Sequence, residues 1–349
     1  MRITAVEAAY PNYCHLTPSW RTYFWQIVVK VSTDVGVEGY GYGGGGVASV
    51  EVVNRQFREI LVGRNVGDGD DILAIWDDLY RACLPFGRRG IPIMALSGVD
   101  LALWDLIGKA EGKPVHSLIG PRRKGKVRAY ATGEDAEKYK AMGFSAYKIR
   151  HRWTGAESDY EIAVARASAA REMFGAEATL MFDCYMSWNA EVTQKMAESL
   201  ADFEIYWFED VLTPDDLEEQ AMLRQLVKPV LIAGGEHEFT QYGFADVARA
   251  GALDLWQPDL TWCGGITAGI RILELARRHD IPVVPHRGGE VWGLHFIVAT
   301  ECEDMAETMP ERWQEPRDLL WFNEPEADRG FIEPSDAPGF GVKLNEAML

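Results

Sequence analysis

Three acidic residues stand at the ends of apolar runs, with nearly equal spacing along the chain. Asp183 follows TLMF, Glu209 follows YWF and Glu236 follows VLIAGG, at intervals of 26 and then 27 residues. This spacing predicts neighbouring strands that direct their last side chains toward one point. Three carboxylates at one point repel each other unless a cation neutralises them, and a set of oxygen ligands favours magnesium over zinc. The spacing therefore predicts a Mg²⁺ site formed by Asp183, Glu209 and Glu236.

An Asp–His pair follows in the same pattern. Asp259 and His286 end the next two apolar runs and are again 27 residues apart. An aspartate beside a histidine fixes the imidazole tautomer and raises its basicity, which suits a general base that works near neutral pH. The pair therefore predicts a base that faces the metal site.

Each of these residues also has a simpler explanation. A single acid after a strand is often a helix cap or a surface charge, and a lone histidine is as often a hydrogen-bonded structural residue. Five ionisable residues in register argue against coincidence. We therefore favour the catalytic interpretation.

The elements that must position these side chains alternate between strand and helix after Gly120. The candidate strands span residues 127–132, 146–150, 179–183, 206–210, 230–236, 254–259, 281–286 and 304–309. Eight strands that alternate with helices indicate a parallel (β/α) barrel, although an open doubly wound sheet gives a similar local pattern. In a barrel, the residues that end the strands share one face.

The first part of the chain has a different pattern. Residues 22–40 are rich in β-forming residues, whereas residues 49–118 carry apolar side chains three and four apart, as amphipathic helices do. Strands followed by helices indicate an α+β layer domain. We expect three units: an α+β domain over residues 1–120, a barrel over 121–324 and a C-terminal segment, 325–349, that returns to the first domain.

Composition excludes several classes of protein. The 349 residues are 47% hydrophobic and carry a formal charge of −18, which disfavours nucleic acid and anionic membrane surfaces as partners. The N-terminus lacks the charged-then-apolar pattern of a secretion signal, and we find no apolar run of membrane-spanning length. The five cysteines are odd in number and far apart, so we expect free thiols and a cytoplasmic location.

The chain resembles the mandelate racemase and muconate lactonizing enzyme branch of the enolase superfamily. The stretch ALWDLIGKAEGKPVHSLIG, residues 102–120, is similar to the junction between the two domains in that branch, and the three acids match its metal ligands in order and spacing. The resemblance implies a (β/α)7β barrel, closed by an N-terminal α+β capping domain that the C-terminal tail completes. It also implies magnesium and a His or Lys base that forms an enediolate.

The resemblance assigns roles to further residues. Asp259 and His286 match the Asp–His dyad of the branch, and Glu307 matches an acid that hydrogen-bonds the enolate. The second strand reads Lys148-Ile149-Arg150, where racemases of the branch commonly have Lys-x-Lys. Because arginine is a poor base and a good clamp for carboxylates, one base, His286, would serve a syn elimination.

Within the branch, GEHEFTQYGF (235–244) and QPDLTWCGGIT (257–267) resemble rhamnonate dehydratase-type acid-sugar dehydratases. The resemblance implies dehydration of a small sugar acid to a 2-keto-3-deoxy acid, in a homo-oligomer. An epimerase or cycloisomerase that uses Lys148 as second base, and a non-catalytic sugar-acid-binding protein, remain alternatives. The expected substrate contacts are His15, Trp20, Arg21, Tyr42 and His237. We expect the glycine-rich stretch that contains Tyr42 to act as a mobile lid.

Overall fold

The computed structural model describes residues 1–13, 19–310 and 320–349. The N-terminal part contains an antiparallel sheet with strand order β1-β2-β3. Its strands are β1 (Ile3–Ala9), β2 (Ile27–Thr33) and β3 (Glu38–Gly43). On β2, Ile27, Val29 and Val31 are buried at alternate positions, as period-2 patterning requires, and Val28 on the other face is buried too. The predicted α+β composition of this part of the chain is observed.

Six helices accompany this sheet. They are α1 (Arg21–Phe24), α2 (Gly46–Val52), α3 (Arg58–Leu61), α4 (Gly69–Cys83), α5 (Ile91–Glu111) and α6 (Val115–Ile119), with a π-helical segment, Val53–Phe57, between α2 and α3. Helix α5 begins with a proline in its first turn and ends at Gly112 in the left-handed conformation. It is apolar on all sides because it lies between the sheet and the second part of the molecule.

Helix α5 changes one expectation from the sequence. By length and composition α5 could cross a membrane, which was not predicted from the sequence. However, 89% of its most apolar 18-residue stretch is buried inside the protein. Such a helix is ordinary in the core of a folded domain.

The glycine-rich stretch packs against α5. Residues 41–46 are buried. A Cβ atom at Gly41 would lie 2.0 Å from the carbonyl oxygen of Gly98 on α5, and one at Gly44 would lie 2.6 Å from the Trp262 ring. The glycines therefore permit a close approach of strand and helix. This contact differs from the mobile lid that we expected.

The second part of the chain alternates strand and helix. Its parallel sheet has the strand order β10-β4-β5-β6-β7-β8-β9. The strands are β4 (Val127–Thr132), β5 (Ala146–Arg150), β6 (Thr179–Asp183), β7 (Ile205–Glu209), β8 (Leu231–Gly234), β9 (Leu255–Trp256) and β10 (Met305–Thr308). The helices are α7 (Ala136–Ala141), α8 (Ser158–Phe174), α9 (Ala190–Ser199), α10 (Leu217–Leu226), α11 (Thr240–Ala250), α12 (Gly265–Arg278) and α13 (Val291–Ala299). The fold is thus α/β with a parallel sheet.

One predicted strand does not form. In the expected strand 281–286, Val283 alone pairs, through an isolated parallel bridge to Trp256. Its carbonyl oxygen accepts a hydrogen bond of 2.9 Å from the Glu303 amide. The prolines at 282 and 285 have no N–H to donate to a ladder, which explains why pairing stops there.

The C-terminal segment contacts both parts of the molecule. Strand β11 (Trp321–Phe322) pairs with β13 (Lys343–Leu344), and β12 (Phe331–Ile332) pairs antiparallel with β4. The Phe340 amide donates to Asp105 on α5 at 2.9 Å. Our sequence analysis did not anticipate these short strands.

The cysteines that the structure describes carry free thiols. Cys83, Cys184, Cys263 and Cys302 are buried, and Cys14 lies outside the described residues.

Candidate functional site

The C-terminal ends of the parallel strands place a lysine among carboxylates. Lys148 on β5 is 1% exposed, and its Nζ contacts Glu209 Oε1 on β7. The same Nζ lies 2.8 Å from Glu307 Oε1 on β10 and 4.0 Å from Asp183 Oδ2 on β6. Residues from four strands therefore meet at one buried point.

Burial changes the acidity of the acids near Lys148. It raises the pKa of Glu209 to about 7 and that of Asp183 to about 6, although the Lys148 ammonium opposes both shifts. Glu209 also accepts hydrogen bonds from Gln257 at 2.7 Å and from the Trp207 indole at 3.1 Å. Its side chain is thus held from several directions.

The Asp–His pair forms on the neighbouring segments. His286 Nδ1 lies 2.8 Å from Asp259 Oδ2, and Asp259 Oδ1 accepts two hydrogen bonds of 2.7 Å from Thr261. Arg287 Nε donates to Asp259 Oδ2 at 3.0 Å. Burial alone would raise the pKa of Asp259, but the Arg287 guanidinium and these hydrogen bonds outweigh it and lower the pKa to about 2. Asp259 therefore remains a carboxylate that orients the imidazole.

The other imidazole nitrogen faces the predicted metal ligands. His286 Nε2 lies 3.3 Å from Glu236 Oε2 and 3.9 Å from Glu307 Oε2. Burial alone would lower the pKa of His286, but the charges of Glu236 and Glu307 and the contact with Asp259 raise it to about 10. The histidine is thus close to one predicted metal ligand, Glu236, and to Glu307.

Glu307 connects the lysine to the dyad. It accepts hydrogen bonds from Thr132 Oγ1 at 2.7 Å and from the Arg287 amide at 2.9 Å. Burial would raise the pKa of Glu307, but the Lys148 and His286 charges hold it well below its usual range. Burial would lower the pKa of Lys148, yet Glu209 and Glu307 raise it well above its usual range. Lys148 is therefore ion-paired with both glutamates in this structure.

A second group of possible ligands overlaps the predicted metal site. Among the described residues, the ligand atoms of Asp210, Glu236 and His237 all lie within 4.8 Å of one another. The predicted set shares Glu236 with this group, and its other two members, Asp183 and Glu209, face Lys148 instead. Burial and the charge of Glu236 raise the pKa of Asp183 and of Asp210, so the donors at this end of the sheet fit a hard divalent cation.

The residues predicted to contact the substrate lie at different positions relative to the site. Trp20 is 55% exposed, and its ring meets Trp25 edge-on at 5.5 Å. The Arg21 guanidinium lies 4.4 Å from the Trp25 ring centroid, and burial followed by the charge of Arg287 lowers its pKa. Arg21 on α1 therefore lies close to the site, and its guanidinium is 5.5 Å from the ring centroid of Trp20, the residue before α1. His15 falls outside the described residues.

Tyr42 is placed differently from what we expected. Its ring is 5% exposed and packs on Trp292 and Trp321, and its hydroxyl lies 3.4 Å from that of Tyr13. This aromatic cluster joins β3 to α13 and the C-terminal segment, so the ring has a packing role. A substrate contact for Tyr42 stays a prediction.

His237 and Arg150 lie at the edge of the site. The His237 ring stacks on Trp262 at 5.9 Å, and its Nε2 lies 3.4 Å from Glu236 Oε1. Arg150 is two residues beyond Lys148 on β5, and its Cα pairs in register with Asp183.

Several residues of this network were missed from the sequence. Arg287 lies 5.1 Å from the Trp262 ring centroid, bonds Asp259 and adopts a left-handed backbone conformation with φ of 50°. Gln257 and Thr132 each bond a buried glutamate. Both stand on predicted strands, two residues before Asp259 and at the end of β4, so polar residues at strand ends were the available signal.

Two family models match the chain. One, described as "Enolase C-terminal domain-like", covers residues 131–348, and the other, described as "Mandelate racemase / muconate lactonizing enzyme, N-terminal domain", covers residues 16–120. The chain belongs to the mandelate racemase/muconate lactonizing enzyme family of the enolase superfamily. The family resemblance seen in the sequence is confirmed.

Relatives within this family cover nearly the whole chain. An L-rhamnonate dehydratase of Saccharopolyspora erythraea is 34% identical over 327 residues, which are 91% of this chain and 83% of that protein. The structure is similar to rhamnonate dehydratase from Gibberella zeae complexed with Mg, with TM-score 0.89, 28% identity and coverage of 99% and 95%. It is also similar to the 3,6-anhydro-D-galactonate cycloisomerase from Zobellia galactanivorans, with TM-score 0.85, 26% identity and coverage of 99% and 98%.

Proposed function

We propose that this protein is a Mg²⁺-dependent acid-sugar dehydratase, which converts an aldonate of the rhamnonate kind to a 2-keto-3-deoxy acid. The single observation that carries the proposal is the position of His286. Its Nδ1 contacts Asp259, while its Nε2 faces Glu236 and Glu307 from a distance of less than 4 Å. Relatives named rhamnonate dehydratase support the choice of reaction.

The dyad assigns the moving proton to one nitrogen. Because Asp259 stays ionised and holds the Nδ1 proton, Nε2 is the atom that exchanges with substrate. Nε2 removes the α-proton, and the C–H electrons pass into the enediolate. The imidazolium then returns a proton to the β-hydroxyl, which leaves as water, and the enol product rearranges to the keto acid. The charge of Glu236 contributes most to raising the pKa of His286. A cation held by Glu236 would offset this charge and would lower the pKa of His286 toward the neutral range that suits a general base.

Asp183, Glu209 and Glu236 would hold the magnesium ion. When bound, Mg²⁺ stabilises the negative charge that develops on the substrate carboxylate. Lys148 adds a fixed positive charge beside the same acids, and Glu307 would hydrogen-bond the enediolate. Because Lys148 is ion-paired with Glu209 and Glu307, it would have to leave these partners to act as the second base of an epimerase.

The test is a screen of acid sugars with Mg²⁺, in which keto-acid product is trapped with semicarbazide. We expect turnover of at least one aldonate, loss of activity with EDTA and recovery with Mg²⁺. Deuterium uptake from solvent without loss of water would instead indicate an epimerase, and an isomeric product without loss of water a cycloisomerase. Absence of turnover together with binding of the sugar acid would indicate a non-catalytic binding protein.

Matched variants decide between the two possible ligand sets. We expect Asp183→Asn and Glu236→Gln to abolish Mg²⁺ binding in calorimetry, because each removes a proposed ligand. Asp210→Asn should retain binding. The reverse pattern for Asp183 and Asp210 would show that the metal sits on the group that contains His237.

We also propose that the parallel strands close into a (β/α)7β barrel over residues 121–324. One buried apolar residue from each of eight segments meets in a single cluster, and Val283 is bonded to the segments on both sides, which supports closure. Residues 1–120, completed by 325–349, would form the capping domain. A homo-oligomer in the cytoplasm is the arrangement that we expect from the family and from the free thiols.

A further inference from the structure

A cavity of about 430 Å³ lies beside the catalytic acids, at the edge where β5 and β6 end. The loops after β4, β5 and β6 and the first half of α8 form its walls. Its lining includes Arg150, His151, Arg152, Arg166 and Tyr185. None of the assigned catalytic steps uses this cavity.

Three arginines line the cavity without an acidic partner. Within residues 1–13, 19–310 and 320–349, no carboxylate lies within ion-pair distance of Arg150, Arg152 or Arg166. Arg166 is oriented by a hydrogen bond of 2.6 Å to the carbonyl oxygen of Arg150, and Arg152 lies 5.6 Å from the Tyr185 ring centroid. In a protein with a charge of −18, a cavity whose arginines outnumber its acids is a local region of positive charge.

Two buried nitrogen atoms in the same cavity wall have no hydrogen-bond partner in the described part of the chain. They are Nε2 of His151, a residue that is 2% exposed, and Nε of Arg150. A buried polar atom without a partner is rare, because it costs free energy unless a ligand completes it. Two acids, Glu134 and Asp159, also line the cavity, so the arginines outnumber the acids by one. Asp159 accepts two hydrogen bonds, of 2.8 and 2.9 Å, from Thr154.

The cavity adjoins the proposed reaction centre. Arg150 and Lys148 lie on the same face of β5, about 7 Å apart along the strand. Tyr185 also connects the two regions, because its amide donates to Asp183 at 3.2 Å and its ring faces Arg152. A sugar acid whose carboxylate lies near Lys148 would therefore extend toward the three arginines.

We propose that this cavity binds a second anionic group at the far end of the substrate. The inference rests on the proposed dehydratase function and extends its substrate class from aldonates with one charged end to sugar acids with two charged ends. The terminal group is a carboxylate, as in an aldarate, or a phosphate, as in a phosphorylated aldonate. Arginine binds both groups through paired N–H donors.

The test compares three substrates of the same configuration: an aldonate, the corresponding aldarate and the aldonate with a terminal phosphate. We expect a kcat/KM at least about tenfold higher for one of the two doubly charged acids than for the aldonate. Whichever is preferred identifies the terminal group. Equal kcat/KM values for all three substrates would overturn the proposal.

Variants of the cavity arginines test whether the cavity causes the preference for a doubly charged acid. Arg152→Gln and Arg166→Gln should each lower kcat/KM for the preferred acid about tenfold and leave that for the aldonate unchanged. Arg55→Gln removes the same charge from an exposed side chain on the first domain and should change neither value. A preference that survives in the double variant Arg152→Gln/Arg166→Gln would also overturn the proposal.

Calorimetry with inorganic phosphate and with succinate separates this proposal from the proposed function. If no acid sugar is turned over, the dehydratase function fails, while binding of these anions that disappears in the double variant still supports the anion cavity. If neither anion binds and no substrate is preferred, the cavity proposal fails. The dehydratase function is then decided only by the screen of acid sugars with Mg²⁺. Anion binding without substrate preference would reduce the cavity to a site for free anions and contradict its role in substrate selection.

Discussion

Two adjacent layers of side chains on the same parallel strands have opposite chemistry. The layer nearer the N-terminal ends of the strands, here called the lower layer, is apolar. It consists of Tyr130, Ala146, Met181, Trp207, Ala233, Leu255, Val284 and Met305. Two residues further along each segment stand Thr132, Lys148, Asp183, Glu209, Gly235, Gln257, His286 and Glu307. Because side chains of a strand return to the same face every second residue, the second set lies directly above the first.

The difference between the layers shows how the site gains its electrostatic strength. The apolar layer excludes water from below, so the charges above it act on each other across a medium of low dielectric constant. This is why Lys148, Glu307 and His286 shift each other's pKa so far from the usual values. The lower layer should therefore control stability, and the upper layer should control chemistry.

The largest expected effect comes from the upper layer. His286→Asn removes the proposed base, and kcat for the dehydration should fall by about 10³–10⁴-fold, at the upper end of what general acid–base catalysis supplies. Initial rates of keto-acid formation measure the loss. Mg²⁺ binding and the midpoint of thermal unfolding should stay close to those of the wild type. Activity within tenfold of wild type would refute the assigned base.

The lower layer should respond in the opposite way. Met181→Ala leaves a cavity under the site, and the free energy of unfolding should fall by about 2–5 kcal/mol in urea titrations. Met222, which is 60% exposed on α10, provides the control, since Met222→Ala should change stability by less than about 0.5 kcal/mol. A Met181→Ala variant that is as stable as wild type, but whose kcat falls as far as in His286→Asn, would contradict the claim that the lower layer controls stability and the upper layer controls catalysis.

A buried histidine outside both layers, His295, has a pKa shift that can be compared with that of His286. His295 on α13 is fully buried, and its Nδ1 accepts a hydrogen bond of 3.1 Å from the His116 amide. Burial, followed by the charge of His116, lowers the pKa of His295 to about 3, opposite to the shift of His286. The same residue type thus shifts either way, depending on whether acids or another histidine surround it.

The sign of the resulting pH dependence follows from the lowered pKa. Because the unfolded chain binds the proton near pH 6.5 and the folded protein only near pH 3, the contribution of His295 to stability is complete above pH 6.5 and decreases as the pH falls. Between pH 7.5 and pH 5 we expect a loss of ~2 kcal/mol in the free energy of unfolding. His295→Asn keeps an acceptor near the His116 amide and should remove this part of the slope. An unchanged slope would show that other groups cause it.

Much of the fold and of the site could be predicted from the sequence. Apolar runs located β4 to β8 and β10 to within about two residues. The ionisable residues in these runs identified Lys148, Asp183, Glu209, His286 and Glu307 of the upper layer, but not Thr132 or Gln257. The prediction failed at residues 281–286, where β-forming valines are separated by prolines that cannot donate to a ladder. The sequence also did not show that Tyr42 packs in an aromatic cluster with Trp292 and Trp321.

The sequence by itself determined which residues share a face, since strand periodicity and the regular strand–helix interval follow from local chemistry. It also determined the family. Only the tertiary structure decided the contacts: that Lys148 lies between Glu209 and Glu307, that Arg287 supports Asp259, and that three arginines surround one cavity. Those contacts join residues far apart in the chain, and their distances depend on how the strands and helices pack, which no local pattern specifies.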